Sequence, residues 1–365
     1  WLEFRRVLFR SVLPPELIEE RKASILSVAE DAQGVERLDE FLKTHETFRA
    51  YNGFEPSGRM HIAQALTTSI NANALIKAGG TMVLYIADIF AKLNHKMNGN
   101  MEWIHDVGLY FIEVFRACGM DLNHVEFIWS LEFIKEHQKE YFELVNKISE
   151  FATSNRIKRT VQIMGRKEGD NLSLSQYIYP CMQATDVFML NVEFCQLGVD
   201  QRKVNMLAIE YANSIKKTPP MILSHHMLMG LKGAEAKMSK SDPNNAIFIE
   251  DQKEDIYRKV RNAVCPPEAE KNPLYEYLKY IILKRFDEVT LCGKVYKNAD
   301  EIKDDLERLI ANKDEFCDDV SGYIDQLIQP IRDHFQSTPE LKELLNRVRS
   351  HNEFIRNQKD RKSVV

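Results

Sequence analysis

The sequence predicts an α/β protein in which an open parallel sheet is followed by a domain made of helices. Three observations carry this. Short apolar runs alternate with amphipathic stretches from about residue 48 to residue 224. One run, Thr81-Met82-Val83-Leu84-Tyr85-Ile86-Ala87, is apolar without alternation, as in a parallel strand covered on both faces. Beyond about residue 250 the strand-like runs stop and helical spacing continues to the end. Strand–helix alternation argues for a parallel sheet, and such sheets bind ligands at the carboxyl ends of their strands.

Taken in order, residues 13–46 are charged and helix-prone, with Leu17, Ile18, Ile25, Leu26 and Val28 on one apolar face. Phe48 to Phe54 reads as a strand entering the turn Glu55-Pro56-Ser57-Gly58. A helix from His61 to about Ala78 follows and is ended by Gly79-Gly80. Met101 to Cys118 is helical by spacing and stops at Gly119, and His124 to Trp129 is a further strand. Residues 131–190 read as mostly helical around the loop Gly165 to Asn171. Val192 to Leu197 is strand-like, Gln201 to Asn213 is a helix, and Pro220 to Ser224 closes the series. The expected domains are a helical extension over 13–46, an α/β domain over 47–245 with a helical insertion at about 110–165, and a helical domain over 246–355. Trp1 to Ser11 and Arg361 to Val365 match no usable pattern, and one or both ends are expected to be foreign to the native sequence.

The formal net charge of -5 gives no whole-molecule basic field, so any nucleic-acid contact must come from a local patch. The six cysteines include no Cys-x-x-Cys pair, which indicates neither a zinc site nor a disulfide framework. They read as reduced thiols of a cytoplasmic protein. No apolar run approaches the roughly 18 residues of a membrane span, and no three-part signal peptide is present.

Neither G-x-G-x-x-G nor a Walker-type loop occurs. Two other segments stand out. In Pro56-Ser57-Gly58-Arg59-Met60-His61-Ile62-Ala63-Gln64 a strand turns into a helix, whose N-terminal N–H groups and dipole suit phosphate. Gly58 permits close backbone approach, and His61 and Gln64 share a face; an ordinary capped helix start explains the segment equally well. In Lys237-Met238-Ser239-Lys240-Ser241, after Gly230 and Gly233, two lysines could stabilise charge on a transferring phosphoryl group. Taken alone, this run reads more readily as a charged surface loop. Between them lies Tyr179-Pro180-Cys181-Met182-Gln183-Ala184-Thr185-Asp186, which puts Tyr179, Gln183 and Asp186 on one helix face. Buried there, each would need a partner; at a solvent edge, none would.

In this order the two segments resemble the His-Ile-Gly-His and KMSKS signatures of class I aminoacyl-tRNA synthetases. The second matches in full. The first has Ala63 for Gly and Gln64 for the second His, which keeps a side-chain donor. The central helix resembles the substrate helix of archaeal and eukaryotic tyrosyl-tRNA synthetases. The resemblance implies a Rossmann-like catalytic domain with a helical insertion, then an α-helical anticodon-binding domain. It implies activation of L-tyrosine by ATP with Mg2+, transfer to tRNA(Tyr), no tightly bound cofactor, no protein-held metal, and a homodimer. Asp186 and Tyr51 would bond the substrate phenol; Tyr179 and Gln183 would hold its amino group; Gln201 would contact the amino acid. Gly58, His61, Gly198, Asp200, Met238, Ser239 and Lys240 would bind ATP, with His61, Gln64, Lys237 and Lys240 stabilising the reacting phosphate.

Lys158, Arg159, Arg202 and Lys203 match positions that meet the tRNA acceptor end, and solvated surface charge explains them equally well. The Leu-His-Pro-x-Asp-Leu segment that reads the anticodon in relatives, lying before a long helix, is here Asn312-Lys313-Asp314-Glu315-Phe316. His-Pro is lost and Glu315 replaces the Asp. The aromatic residues Tyr110, Phe111, Phe115, Phe127, Trp129, Phe133 and Phe151 offer dimer-interface material or core filling. Two rivals share part of this pattern: a tryptophanyl-tRNA synthetase, and an inactive homologue serving as an RNA-binding or signalling scaffold. Asp186 beside Tyr51 argues against the first, and the retained His61, Asp186, Lys237 and Lys240 against the second.

Overall fold

The computed structural model describes residues 13–166, 169–237 and 242–363. These fall into two compact units, each discontinuous in sequence. The first comprises the chain up to Glu55, Ala72–Gly99 and Asp121–His226; the second comprises Pro56–Asn71, Asn100–Met120 and the chain from Met227.

The first unit contains the sheet. Its strands are β1 (Asp31–Gln33), β2 (Phe48–Phe54), β3 (Gly80–Ile86), β4 (Val125–Trp129), β5 (Phe194–Gly198) and β6 (Met221–His225), in the order β1-β6-β5-β2-β3-β4. All neighbours are parallel except β1, which runs antiparallel to β6 at the edge. The expected α/β class and each strand from residue 48 onward are found within a residue or two of their predicted bounds. The three-residue β1 was not foreseen, because three residues carry no readable period.

Burial follows the parallel architecture. β5 is buried at every residue, and β3 at all but one. Gly79 and Gly80 make the helix-to-β3 transition possible. Gly79 has φ +95°, and a Cβ on Gly80 would come within 2.5 Å of the Phe48 ring.

The strand order reverses between β2 and β5. From β2 the chain steps outward through β3 to β4, then returns to lay β5 and β6 on the other side. β2 pairs with β3 along its whole length, from Phe48 opposite Gly80 to Phe54 opposite Ile86. With β5 it pairs only at Ala50 and Tyr51. Beyond Tyr51 the two central strands part, which opens the crevice expected at a topological switch point.

The region 131–190 is helical as predicted, with helices Ser130–Glu136, Gln138–Phe151, Ser154–Thr160 and Leu174–Met189. In the second unit the helices Met101–Ala117, Lys253–Arg261, Pro273–Tyr280, Lys313–Gln336 and Pro339–Ser363 dominate. The strands do not stop at residue 250, however: Val289–Leu291 and Lys294–Tyr296 form an antiparallel hairpin. Its two-residue turn, Cys292-Gly293, holds both residues at positive φ. Asn-Gly or Asp-Gly would have signalled such a turn; cysteine rarely adopts that geometry. Tyr110, Phe111 and Phe115 are fully buried within the chain, so they are core rather than interface. Among the described residues no helix is long and apolar enough to cross a membrane, and all six cysteines are free.

A polar ladder crosses the carboxyl ends of the central strands. Asn52 of β2 donates to Gln196 Oε1 of β5 at 3.3 Å, and Gln196 Nε2 lies 2.8 Å from His225 Nδ1 of β6. Burial, with His226 adding to it, lowers the His225 pKa from 6.5 to about 4. The unfolded chain therefore binds the extra proton first, and stability should fall as pH drops from 6.5 towards 4. Urea midpoints of the parent should decline more steeply over this range than those of His225→Asn; equal slopes would refute the assignment.

Candidate active site

The switch-point crevice is furnished from β2 and from the helix Leu174–Met189. That helix starts with a reciprocal cap, in which Gln176 Oε1 accepts from the Ser173 backbone N–H at 3.0 Å. It places Tyr179, Gln183 and Asp186 on one side, and two of the three, Tyr179 and Asp186, are buried. The solvent-edge alternative is thereby removed, and each group has the partner that burial demands.

Asp186 is 2 % exposed. Its Oδ1 accepts from the Tyr141 hydroxyl at 2.8 Å and from the Tyr85 hydroxyl at 3.0 Å. Burial pushes the carboxyl pKa well above its usual range, and the two donated bonds act against that rise. Tyr51, 1 % exposed, lies beside Asp186 and Gln183, and both burial and the Asp186 charge raise its phenol pKa. Its buried hydroxyl has the Gln183 amide beside it as a donor, and its own proton has no acceptor. A buried donor is seldom left unpaired. Here it sits beside an acid whose two bound donors both occupy one oxygen.

Gln201 donates through Nε2 to the Ile163 carbonyl at 3.0 Å and accepts through Oε1 from Gln183 Nε2 at 3.1 Å. The backbone carbonyl thus fixes both amides, which leaves the Gln183 side-chain oxygen as the acceptor for an incoming donor. The Tyr179 hydroxyl donates to Glu55 Oε1 at 2.7 Å, and its ring meets Phe90 edge-on. Asn94 Nδ2 donates to both Glu55 oxygens, at 3.0 and 3.1 Å, and Lys96 stands 3.6 Å from Oε2. Together these residues form a slot, with one polar locus at Tyr51 and Asp186 and a second at Glu55, Tyr179 and Gln183, where Lys96 and Asn94 already stand beside the Glu55 carboxylate.

Four members were missed from the sequence: Tyr85, Tyr141, Glu55 and Asn94. Tyr85 was legible in principle, because a tyrosine within a strand buried on both faces must find a partner for its hydroxyl. Tyr141 shares a helix face with Val145 and Ile148 and reads there as core. Glu55 and Asn94 meet only through the fold.

The remaining candidates divide among several places. Gly198 is buried at the end of β5 with an ordinary backbone, φ -66°, so only its missing side chain can matter; Asp200 is exposed just beyond it. In the second unit Gly58 has φ +119°, and a Cβ there would lie 2.3 Å from Asn352 Oδ1. The Gln64 backbone N–H donates to His61 Nδ1 at 3.2 Å. That bond makes Nδ1 the unprotonated nitrogen of a neutral ring and leaves Nε2–H as the donor. Lys237 ends the strand Gly233–Lys237. Met238, Ser239 and Lys240 lie outside the described residues.

Lys158 and Arg159 end the helix Ser154–Thr160. Arg202 and Lys203 open the helix Arg202–Ser214, which Arg156 ties to the former by contacts to Lys203 O and Glu210. Arg202 is paired with Asp31 at 2.9 Å, and Lys203 donates to Gln162. Glu315 is exposed in the first turn of Lys313–Gln336, inside that helix rather than before it, and the helix runs through Pro330 to its end. Among the described residues no group of three or more His, Cys, Asp or Glu could hold a metal ion.

The family model for class I tRNA synthetases of the tryptophan and tyrosine type matches residues 43–326. The cytoplasmic tyrosine–tRNA ligase 1 of Arabidopsis thaliana is 44% identical over 345 residues, covering 92% of this chain and 90% of the relative. The tyrosyl-tRNA synthetase of Leishmania major in complex with tyrosinol superposes with a TM-score of 0.87 at 39% identity, over 92% of this chain and 60% of the longer Leishmania chain. The enzyme of Pyrococcus horikoshii complexed with L-tyrosine gives 0.83 at 30% identity, over 91% of this chain and 99% of its own. Sequence and fold each match over about nine tenths of this chain, and by both it belongs to the tyrosyl-tRNA synthetases, within the class I tRNA synthetases.

Proposed function

We propose that the chain activates L-tyrosine with ATP and transfers it to tRNA(Tyr), and that the slot of the first unit is its tyrosine site. One observation carries the reading: a buried carboxylate beside a buried phenol whose proton has no acceptor. A substrate phenol donates to Asp186 and accepts from Tyr51, which satisfies both. A site built this way rejects the analogue lacking the hydroxyl because its buried groups go unpaired, the effect by which tyrosyl-tRNA synthetases are known to exclude phenylalanine. The substrate ammonium goes to Tyr179, Gln183 and Glu55, and Gln201 keeps the Gln183 amide in orientation.

In the first step a carboxylate oxygen of tyrosine attacks the α-phosphorus of ATP. The bond from that phosphorus to the bridging oxygen breaks, and pyrophosphate leaves with the electron pair. In the second step the terminal ribose hydroxyl of the tRNA attacks the tyrosyl carbonyl and AMP departs. Neither step needs a side-chain nucleophile, so catalysis is positioning and charge stabilisation. His61, as a neutral Nε2–H donor, and Gln64 serve the phosphates, together with Lys237 and Lys240. Gly58, Met238 and Ser239 give backbone approach, and Gly198 and Asp200 take the ribose. Mg2+ arrives with ATP as its counter-ion. Lys158, Arg159, Arg202 and Lys203 face the acceptor end, and Glu315 the anticodon. A cytoplasmic homodimer is part of the same reading. Phe142, Phe151, Leu174 and Ile178 support it as 40–76% exposed apolar side chains on the helices Gln138–Phe151 and Leu174–Met189.

Pyrophosphate exchange should depend on tyrosine, and Asp186→Asn should lower the preference over phenylalanine by about 10- to 100-fold. Because the Asp186 pKa is raised in the folded state, its ionisation weakens folding above its unfolded pKa. The Asn variant should therefore melt no lower than the parent at pH 8, which separates recognition from folding. Exchange by the parent equally well with tryptophan would sink the reading.

Lys240→Ala should slow adenylate formation by about 10²–10³-fold with tyrosine affinity unchanged, the pattern of a contact made in the transition state. Weakened tyrosine binding at an unchanged forward rate would contradict that role. Native mass measurement at micromolar concentration should give twice the chain mass, and a monomer would remove the dimer from the reading.

A further inference from the structure

The second unit buries a cluster of charge that the chemistry above does not use. Glu250, Asp251, Lys259 and Arg332 are each less than a tenth exposed. Arg59 bonds Glu250 and approaches Asp251 at 3.4 Å, with its guanidinium 4.2 Å over the Phe248 ring. Lys259 bonds the Asp251 carboxylate and the Ala246 carbonyl. Arg332, from the helix Lys313–Gln336, donates to the Asp251 backbone carbonyl at 2.7 Å and pairs with Asp325. The Tyr110 hydroxyl donates to Glu250 Oε2 at 3.0 Å and accepts from the Met60 backbone N–H at 3.2 Å.

These bonds converge on one short piece of backbone. Ile62 N donates to Ile247 O at 2.9 Å, Ile249 N donates to Met60 O at 3.1 Å, and His61 bridges antiparallel to Phe248. Residues 60–62 are thus clasped to residues 247–249, and the charges flank the clasp on both strands. From the helix Pro339–Ser363, Asn352 Oδ1 accepts from the Arg59 backbone N–H at 3.4 Å and fills the space beside Gly58. Taking several charges out of water can cost as much as their pairing returns, and apolar side chains often serve stability as well. What such a network adds over an apolar core is fixed direction and distance.

We infer that this network is a positioning device for His61, by which the helix Met101–Ala117 and the helices beyond residue 246 hold the ATP-side turn in its working geometry. Tyr110, Arg332 and Asn352 are then positioning residues for activation: they act through the backbone of Gly58–Ile62 and touch no substrate. The inference rests on the assignment of His61 to ATP. A displacement of about 1 Å in a catalytic group suffices for losses of up to about 10²-fold, which is within reach of one deleted hydroxyl.

The test is Tyr110→Phe, which removes a single oxygen, with Asn352→Ala as a second variant at a half-buried position. Tyrosine affinity, kcat and KM for ATP in pyrophosphate exchange, and the melting temperature are measured on each full-length protein. The expected result is a fall in kcat/KM for ATP of about tenfold or more, with tyrosine affinity within about twofold of the parent. A merely structural role would lower melting alone. Parental exchange kinetics in both variants, whatever their melting temperatures, would overturn the positioning role. If Tyr110→Phe does not fold, Asn352→Ala decides alone by the same criterion. A parent without tyrosine-dependent exchange would overturn the underlying activity as well, whereas an active parent with unaffected variants overturns this inference only.

Discussion

Strand β2 is hydrogen-bonded to β3 along its whole length and to β5 at only two residues, and the site of the first unit follows from that asymmetry. Full pairing on one side fixes where Tyr51 points. The parting from β5 on the other side leaves a gap that backbone hydrogen bonds do not fill. Side chains meet across it, and the Asn52–Gln196–His225 ladder of side-chain contacts starts there. The slot itself lies there as well, lined by β2 and by the helix that crosses back between β4 and β5 in the chain.

Within that slot the governing constraint is the cost of burying polar groups. Asp186 is driven towards its neutral form by burial and held against it by two tyrosine hydroxyls. Beside it the Tyr51 hydroxyl is left without an acceptor for its proton. The two form an unfinished arrangement: protein groups have supplied two donors and have left one hydroxyl proton and one oxygen of the acid uncommitted to them. A phenol completes it. Stability is given up locally so that recognition is decided by a hydrogen bond rather than by fit alone, and such sites discriminate more sharply than apolar pockets do.

The second unit meets the same cost in another way. Glu250 is paired with Arg59, Asp251 with Lys259 and Arg332 with Asp325, and Lys259 and Arg332 donate to backbone carbonyls as well. The arrangement is rigid because each carboxylate has more than one partner. It lies around the backbone that carries His61, whose ring nitrogen roles are set in turn by the Gln64 N–H. Charge that does no chemistry can in this way fix the position of a group that does.

Much of this was legible in the residues themselves. Unbroken apolar runs mark strands covered on both faces, so the parallel class and the bounds of β2 to β6 followed from local pattern. The polar face of Tyr179, Gln183 and Asp186 followed from helical periodicity, and the two signature segments from their composition and order. The partners of those residues did not follow. Tyr85, Tyr141, Glu55 and Asn94 lie tens of residues from the groups they hold, and Glu250 and Asp251 lie about 190 residues from Arg59. The 289–296 hairpin turns on a Cys-Gly pair that announces no turn. Periodicity reports only which face of an element is buried. Which buried donor meets which buried acceptor is decided when separate elements are brought to one place, and tertiary structure alone does that.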